Sequence, residues 1–243
     1  MNERSVFFDC WDTLVYFKKE DELWNIRPLM DHCLNKEDIP WEEVFLYSER
    51  FLHQYYSSGL MYEISIACIH RILVDRYQIL LDCPVEECGH EVLFHLSPSA
   101  VKNVDQFLNR LERDGVFYGV ISNTIYDEED TRKVLQKYLP GHDFSYVFAS
   151  KDYGVKKPNE DFFHVALSKT KRNIKESIFI GDAFYQDAFG SNHAGFKKSI
   201  WLNHRLRNEE TEFARHPEID SFPHLTVSGY DEVIALYDQD LLW

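Results

Sequence analysis

The sequence predicts an α/β fold in which a doubly wound, open parallel sheet forms the core and a helical domain is inserted into that core. Short runs rich in Val, Ile and Phe recur along the chain and are apolar on consecutive residues, which is typical of strands buried on both faces. These runs are Ser5–Phe8, Val116–Ile121, Tyr146–Ala149, Ser177–Ile180 and Ser199–Leu202. Segments of helical periodicity separate most of them, and this alternation favours parallel strands joined by right-handed crossovers.

Helices are predicted between the later strands. Val101–Arg113 places its apolar residues on one helical face, and Asp114-Gly115 then ends the helix. Asp127–Tyr138 and Glu160–Lys169 show the same spacing. Each helix can therefore cover one face of the sheet between two strands.

The stretch from about Phe17 to Ser97 departs from this alternation, because its pattern is helical throughout and shows no strand. Pro40 is typical of a helix start, and apolar residues follow it at helical spacing. Tyr62–Tyr77 and Pro84–Leu96 are predicted to form further helices.

A helical stretch of this length predicts a second, smaller domain. We expect a core domain built from residues 1–16 and 98–243, and an all-helical domain at residues 17–97. The hinges between them are predicted near Val15–Lys18 and Leu96–Ser99.

The charge balance restricts the classes of partner. The chain carries 41 acidic residues against 26 Lys and Arg, a net charge of −15, whereas a nucleic acid or an anionic membrane would require a basic face. We therefore expect neither as a partner. A small phosphorylated molecule remains compatible, because local donors and a metal ion can outweigh the net charge. Nothing in the sequence indicates the oligomeric state.

The apolar runs are too short to span a membrane, and Met1–Arg4 lead into the first strand without a secretory leader. A cytoplasmic location is the expectation. The five cysteines are scattered and lack zinc-site spacing, so free thiols are expected.

Residues suited to catalysis follow four of the predicted strands. In open α/β sheets, ligands bind at the carboxyl ends of the strands, so these residues should converge on one crevice. The four segments are Asp9-Cys10-Trp11-Asp12-Thr13, Ser122-Asn123, Gly154-Val155-Lys156-Lys157-Pro158 and Gly181-Asp182 with Asp187.

In order and spacing, these segments resemble the four motifs of the haloacid dehalogenase superfamily. That family has a Rossmann-like core, an Asp nucleophile after the first strand, a Ser or Thr after the second, a Lys ahead of Pro, and a Gly-Asp with a second acid. The resemblance covers Ser5–Leu14 and roughly Ser99–Leu202, while the helical stretch matches the family's cap domain in position and length.

The resemblance implies a nucleophile and a magnesium site. Asp9 would attack the substrate and form an ester that water then cleaves. Asp182 would hold Mg²⁺ together with Asp9 and the backbone carbonyl of Trp11, since magnesium prefers hard oxygen ligands. Asp187 would either bind the metal, directly or through water, or orient Lys157.

The other motif residues would bind the reacting group. Lys157 would neutralise charge on the nucleophile and on the transferred group. Lys156 is expected to be a solvated neighbour without a role. The Ser122 hydroxyl and the Asn123 amide would bind a phosphate oxygen, and Thr13 would either add a hydroxyl to this pocket or cap a turn.

Trp11 is a departure from the family pattern. Phosphatases of this superfamily usually carry a second Asp at this position, which protonates the leaving group and then activates water. An indole cannot perform either proton transfer. Asp12 follows one residue later, but its side chain should point elsewhere, so we do not assign the role to it.

The function expected is that of a Mg²⁺-dependent phosphatase acting on a small phosphorylated metabolite. Two alternatives remain open. One is carbon–halogen hydrolysis by the same Asp9, since the family's dehalogenases carry an aromatic residue at the Trp11 position; Arg27 would then be a halide-binding candidate by position. The other is a regulatory protein that binds phosphate with little turnover. The helical domain offers several polar or aromatic residues that are left unassigned. These are Trp24, Arg27, His53, Tyr55, Tyr56 and Arg71.

Overall fold

The computed structural model describes residues 3–18, 23–203 and 223–243. The strands in these ranges are β1 (Ser5–Phe8), β2 (Val15–Lys18), β3 (Ser97–Ala100), β4 (Phe117–Ser122), β5 (Val147–Ala149), β6 (Ser177–Gly181), β7 (Lys198–Leu202) and β8 (Leu225–Val227). The helices are α1 (Arg27–Asp31), α2 (Trp41–Ser57), α3 (Ile66–Tyr77), α4 (Val85–Glu91), α5 (Val104–Arg113), α6 (Glu128–Tyr138), α7 (Ser150–Tyr153), α8 (Glu160–Thr170), α9 (Gly190–Ala194) and α10 (Tyr230–Asp238). Short 3₁₀ turns lie at Lys36–Asp38, Val92–His95 and Ile174–Glu176, and a π-helical turn lies at Phe184–Phe189.

Six of the described strands form one parallel sheet in the order β5-β4-β1-β6-β7-β8. The chain starts at the centre with β1, builds outward through β4 and β5, and then crosses over to build the other half from β6 to β8. The strand order therefore reverses beside β1, and the crevice at such a reversal is where ligands bind in doubly wound folds. The predicted α/β fold class is confirmed.

The core of the sheet is packed on both faces of β1. Phe7 and Phe8 are fully buried and point to opposite faces, as successive residues of a strand must. Phe7 makes an edge contact with Phe196, with ring centroids 5.9 Å apart, and Phe8 makes one with Phe107 at 6.0 Å. The burial of each Phe side chain stabilises the folded state by about 1.5–3 kcal/mol. This packing holds the carboxyl end of β1, where Asp9 follows.

Two details of the strand pattern differ from the prediction. The stretch predicted to lack strands begins and ends in β2 and β3, which pair antiparallel, with Val15 opposite Ala100 and Lys18 opposite Ser97. Pairing between residues about 80 positions apart has no local signal, and Ser97-Pro98-Ser99 is not a typical strand sequence. β8 was also not predicted, because Leu225–Val227 is too short to stand out.

The described residues between these two strands, 23–96, form what we call the helical insert, with α1 to α4 as its helices. The predicted helix Tyr62–Tyr77 begins only at Ile66, because Tyr62 instead forms an antiparallel bridge to Val155 of the core. The division into two domains stays a prediction. In the described part of the chain, no helix is long and apolar enough to cross a membrane. The cysteines are free thiols.

Candidate active site

Asp9 lies at the carboxyl end of the central strand, directly after β1. Its backbone N–H donates to the carbonyl of Ile180 in β6 at 2.9 Å. The hydrogen bonding between β1 and β6 therefore extends one residue beyond the end of β1. A tight turn follows, in which the carbonyl of Cys10 accepts from the N–H of Leu14 at 2.8 Å. Asp12 in this turn has a positive φ of 60°, so the chain reverses sharply after the strand. Asp9 is buried, with 6% of its surface exposed, and it lines the cleft beside the strand reversal.

Lys157 joins two of the predicted site carboxylates. Its Nζ donates to Asp9 Oδ1 and to Asp187 Oδ1, both at 2.7 Å, and its side chain is fully buried. The Lys157 backbone is held in turn by Asn123, whose Oδ1 accepts from the Lys157 N–H at 2.7 Å and whose Nδ2 donates to the Lys157 carbonyl at 2.9 Å. A residue at the end of β4 therefore positions the lysine that follows β5.

Burial and charge oppose each other in this cluster. Burial raises the pKa of Asp9 to about 6, while the ammonium of Lys157 pulls it down and Asp187 pushes it up. Burial disfavours the ammonium of Lys157, yet Asp187 and Asp9 together hold its pKa above the ordinary value. At neutral pH the favoured state is therefore an ionised Asp9 paired with a charged lysine.

The end of β6 brings Asp182 and Asp187 to the same place. The π-helical turn after Asp182 turns the chain back, so that Asp187 Oδ2 accepts from the N–H of Ala183 at 2.9 Å. Gly181 permits this approach: a Cβ on it would lie 2.3 Å from Asp187 Cγ. Trp201 donates from its indole Nε1 to the Asp182 carbonyl at 2.8 Å and so fixes the backbone at the strand end.

The donor set fits a hard divalent cation. Asp9, Asp182 and Asp187 are all buried, and each offers a carboxylate oxygen within 4.8 Å of the others. Three carboxylates against the single ammonium of Lys157 leave an excess of negative charge, which a magnesium ion would neutralise. Carboxylate oxygens are also the ligands that magnesium prefers. Asp9 and Asp182 line the cleft, whereas Asp187 is not among its lining residues and has its two oxygens occupied by Lys157 and Ala183, so Asp9 and Asp182 are the better placed ligands.

Of the predicted phosphate-binding residues, Thr13 and Asn123 contact this cluster. The Ser122 hydroxyl is fully buried at the end of β4 and has no hydrogen-bond partner among the described residues. Thr13 Oγ1 lies 3.4 Å from both Asp9 Oδ2 and Asp182 Oδ1. The Thr13 carbonyl accepts from the buried hydroxyl of Tyr230 at 3.2 Å. This contact links the turn that follows β1 to α10, which the sequence did not indicate.

A cleft of about 660 Å³ opens onto Asp9, Lys157 and Asp182, and residues of both the core and the helical insert line it. Its lining residues are Asp9, Trp11, Tyr56, Ser57, Gly59, Leu60, Glu63, Asn123, Lys156, Lys157, Pro158, Asp182, Ala183, Tyr185 and Gln186. This volume suits a small ligand, since small-molecule pockets span roughly 300–1,000 Å³. Of the six insert residues left unassigned, Tyr56 alone is among those lining the cleft in the described structure, and Arg71 instead pairs with Glu86.

The expectation for Lys156 is wrong. This residue is 6% exposed, lines the cleft, and has its Nζ 3.9 Å from the centre of the Tyr55 ring. The cause is the helical insert, which lays Tyr62 against Val155 and so covers the segment that precedes the motif lysine. Spacing along the chain identified Lys157 but carried no signal for this coverage.

The family model described as haloacid dehalogenase-like hydrolase matches residues 75–200, just over half of the chain. The phosphoserine phosphatase of Thermus thermophilus is 29% identical over 108 residues, which is 44% of this chain and 42% of that protein. The glyceraldehyde 3-phosphate phosphatase of Methanothermobacter thermautotrophicus is 30% identical over 121 residues, which is 49% of this chain and 51% of that protein. The matched region therefore spans about half the length of these curated relatives.

Solved structures share the fold over nearly the whole chain. A HAD phosphatase from Thermococcus onnurineus superposes with a TM-score of 0.63 at 18% identity, covering 96% of this chain and 97% of that one. A 2-haloacid dehalogenase from Pseudomonas syringae pv. tomato DC3000 gives 0.65 at 20% identity, covering 97% and 98%. The family match, the phosphatase relatives and the shared fold confirm the resemblance seen in the four motifs, and the chain belongs to the haloacid dehalogenase-like hydrolases.

Proposed function

We propose that this protein is a Mg²⁺-dependent phosphatase acting on a small phosphorylated metabolite, with Asp9 as the nucleophile. The observation that carries the proposal is the buried Asp9–Lys157–Asp187 arrangement, with Asp182 completing a cation site at the edge of an open cleft. The two curated relatives, a phosphoserine phosphatase and a glyceraldehyde 3-phosphate phosphatase, support this reaction class. The helical insert would act as the cap over the substrate, and the cytoplasm remains the proposed location.

In the first step, the Asp9 carboxylate attacks the phosphorus atom and the bond to the leaving oxygen breaks, which gives an aspartyl phosphate. Lys157 already contacts Asp9 Oδ1, so its charge offsets the negative charge that gathers around the transferred group. The Ser122 hydroxyl and the backbone N–H of Asn123 would donate to a non-bridging phosphate oxygen. A magnesium ion held by Asp9, Asp182 and the Trp11 carbonyl would supply charge neutralisation.

In the second step, water attacks the phosphorus of the aspartyl phosphate and releases inorganic phosphate, which regenerates Asp9. Asp187 would keep Lys157 in position in both steps, because it shares the lysine ammonium with Asp9. Trp11 lines the cleft beside Asp9 but offers no group for proton transfer. We therefore expect this enzyme to favour leaving groups that depart without protonation.

Trp11 also favours a second candidate, carbon–halogen hydrolysis, because a halide leaves without protonation. Asp9 would displace the halide from carbon, and water would then cleave the resulting ester. The buried acidic set with Asp182 argues against this candidate, since the reaction has no need of a cation. Arg27, the halide-binding candidate by position, is not among the described residues that line the cleft. Halide release that persists in chelator would favour this chemistry.

The test is phosphate release from p-nitrophenyl phosphate, whose leaving group departs without an acid. We expect release with magnesium, and loss of release with chelator or in Asp9→Asn. Asp75→Asn, an exposed site on α3, is the matched control and should keep the wild-type rate. A single burst that stalls would mean that the aspartyl phosphate forms but is not hydrolysed. Binding of phosphate without release under any condition would refute the phosphatase proposal and favour the regulatory alternative.

A further inference from the structure

Lys156 places a second ammonium group in the cleft, beside the motif lysine. The residue is only 6% exposed, and its Nζ lies 3.9 Å from the Tyr55 ring centre and 5.6 Å from that of Tyr56. The backbone is fixed on both sides, since the Lys156 N–H donates to the Met61 carbonyl at 2.9 Å and its carbonyl accepts from Asn159 at 3.0 Å. The ammonium is therefore held in position rather than left at the end of a solvated chain.

This ammonium has no matched counter-ion in the described structure. None of the described carboxylates forms an ion pair with Lys156, and burial lowers its pKa while the charge of Glu63 works in the opposite direction. The oxygens of Glu63 are directed elsewhere: Oε1 accepts from the Tyr55 hydroxyl at 2.7 Å, and Oε2 accepts from the Ser150 hydroxyl at 2.7 Å. The face of Tyr55 attracts the ammonium, but an aromatic ring is a weaker partner than an anion.

A cation that is desolvated, positioned and open to a ligand cleft is a specificity group for an anion. The same cleft is lined by Asp9, Lys157 and Asp182, which serve the phosphoryl group in the proposed reaction. Lys156 contacts the insert through Tyr55, Tyr56 and the Met61 carbonyl. The space beside Lys156 is thus available to the part of the substrate that lies beyond the phosphate.

We infer that Lys156, backed by Tyr55 and Tyr56, forms a second anion subsite, and that the substrate is a phosphate ester that also carries a carboxylate. This inference rests on the proposed phosphatase function and narrows its substrate class. A carboxylate fits better than a second phosphate, because one ammonium balances a single negative charge and the nearby Glu63 repels a dianion more strongly than a monoanion. A phosphate ester with no second negative charge, such as a sugar phosphate, would leave the ammonium without an anionic partner.

Binding of non-hydrolysable ligands tests the inference without turnover. The probes are phosphono-carboxylic acids with two, three or four methylene groups between the two acids, each paired with its neutral carboxamide. Titration calorimetry with magnesium present gives the ratio of affinities for acid and amide. A charge-assisted contact contributes about 1.5–3 kcal/mol, so the acid of best length should bind roughly 10- to 100-fold more tightly than its amide.

Three variants test whether the preference for the acid over the amide depends on the charge of Lys156. Lys156→Met removes the charge but suits the apolar surroundings, and should bring the ratio close to one. Lys156→Arg retains the charge and should retain a preference for the acid. Lys102→Gln removes a charge from a side chain that is 83% exposed, and should leave the wild-type ratio unchanged. Circular dichroism of each variant verifies that it is folded.

Each other outcome overturns the inference. Equal binding of acid and amide to the wild type would mean that no anion subsite exists. An equal loss of affinity for both ligands in Lys156→Met would mean that the lysine binds the phosphonate itself. Failure of every phosphonate to bind would also overturn it, and hydrolysis of p-nitrophenyl phosphate by the same preparation then decides whether the proposed function falls with it.

Discussion

Replacing Gly181 by Ala tests whether close packing at the end of β6 holds Lys157 in place. The added Cβ would lie 2.3 Å from Asp187 Cγ and 2.4 Å from its Oδ2, whereas carbon atoms in contact sit about 3.5–4.0 Å apart. The Asp187 carboxylate must therefore shift by about 1 Å. That shift takes its Oδ1 out of hydrogen-bond reach of the Lys157 ammonium, which is now 2.7 Å away.

The consequences follow from the loss of the hydrogen bond between Asp187 and Lys157. The contact with Lys157 is charge-assisted, so we expect the free energy of unfolding to fall by about 1.5–3 kcal/mol. A misplacement of about 1 Å in catalytic groups can lower rates by about 100-fold, and we expect a loss of that order in phosphate release. Urea unfolding and the p-nitrophenyl phosphate assay measure the two effects.

Gly229→Ala is the matched control, because its Cβ would have no atom within 4 Å and its φ of 170° is ordinary extended backbone. It should retain both stability and rate. Wild-type stability and rate in Gly181→Ala would refute the argument, since Asp187 would then not need the space that the glycine leaves.

Three further predictions concern Trp11, His70 and Asp182. Trp11→Asp should raise the rate on alkyl phosphates relative to p-nitrophenyl phosphate by about 100-fold or more, because it supplies the missing acid; an unchanged ratio would contradict the role assigned to Trp11. His70 donates from Nε2 to the Asn25 carbonyl at 2.7 Å, and burial lowers its pKa to about 4 from the ordinary 6.5. As pH falls below 6.5, His70 is therefore protonated in the unfolded chain before it is protonated in the folded protein, and stability falls. Between pH 8 and pH 5, the unfolding free energy of the wild type should fall by about 2 kcal/mol more than that of His70→Gln. Urea titration at each pH measures the difference. Magnesium at about 100 times its dissociation constant should add about 2.7 kcal/mol to the unfolding free energy of the wild type and much less to that of Asp182→Asn; equal gains would place the ion elsewhere.

The parallel sheet was predictable because its signals are local. Consecutive apolar residues are needed wherever a strand is covered on both faces, so Ser5–Phe8 and Ser177–Gly181 stood out as runs. The motif residues follow such strands directly. The rule that parallel strands present their carboxyl ends at one edge then brings Asp9 and Asp182 together without any knowledge of the fold's details.

Pairings between distant segments had no such signal. The bridge from Tyr62 to Val155 shortens a predicted helix and buries Lys156, yet neither segment shows unusual composition. The link from Tyr230 to the Thr13 carbonyl joins residues 217 positions apart. Contacts of this kind depend on where whole helices and strands pack, and the hydrophobic periodicity of the sequence does not predict that.

Chain pattern and spacing were sufficient for the fold class, the family and the identity of the four motif segments, because each depends on residues close together along the chain. The three-dimensional structure was needed to show that Lys157 is shared between Asp9 and Asp187, and that Lys156 is a buried ammonium facing the cleft. The physical reason is that desolvation and charge pairing depend on the surroundings of a side chain. For Lys156, those surroundings come from an insert whose position over the sheet is set by long-range packing.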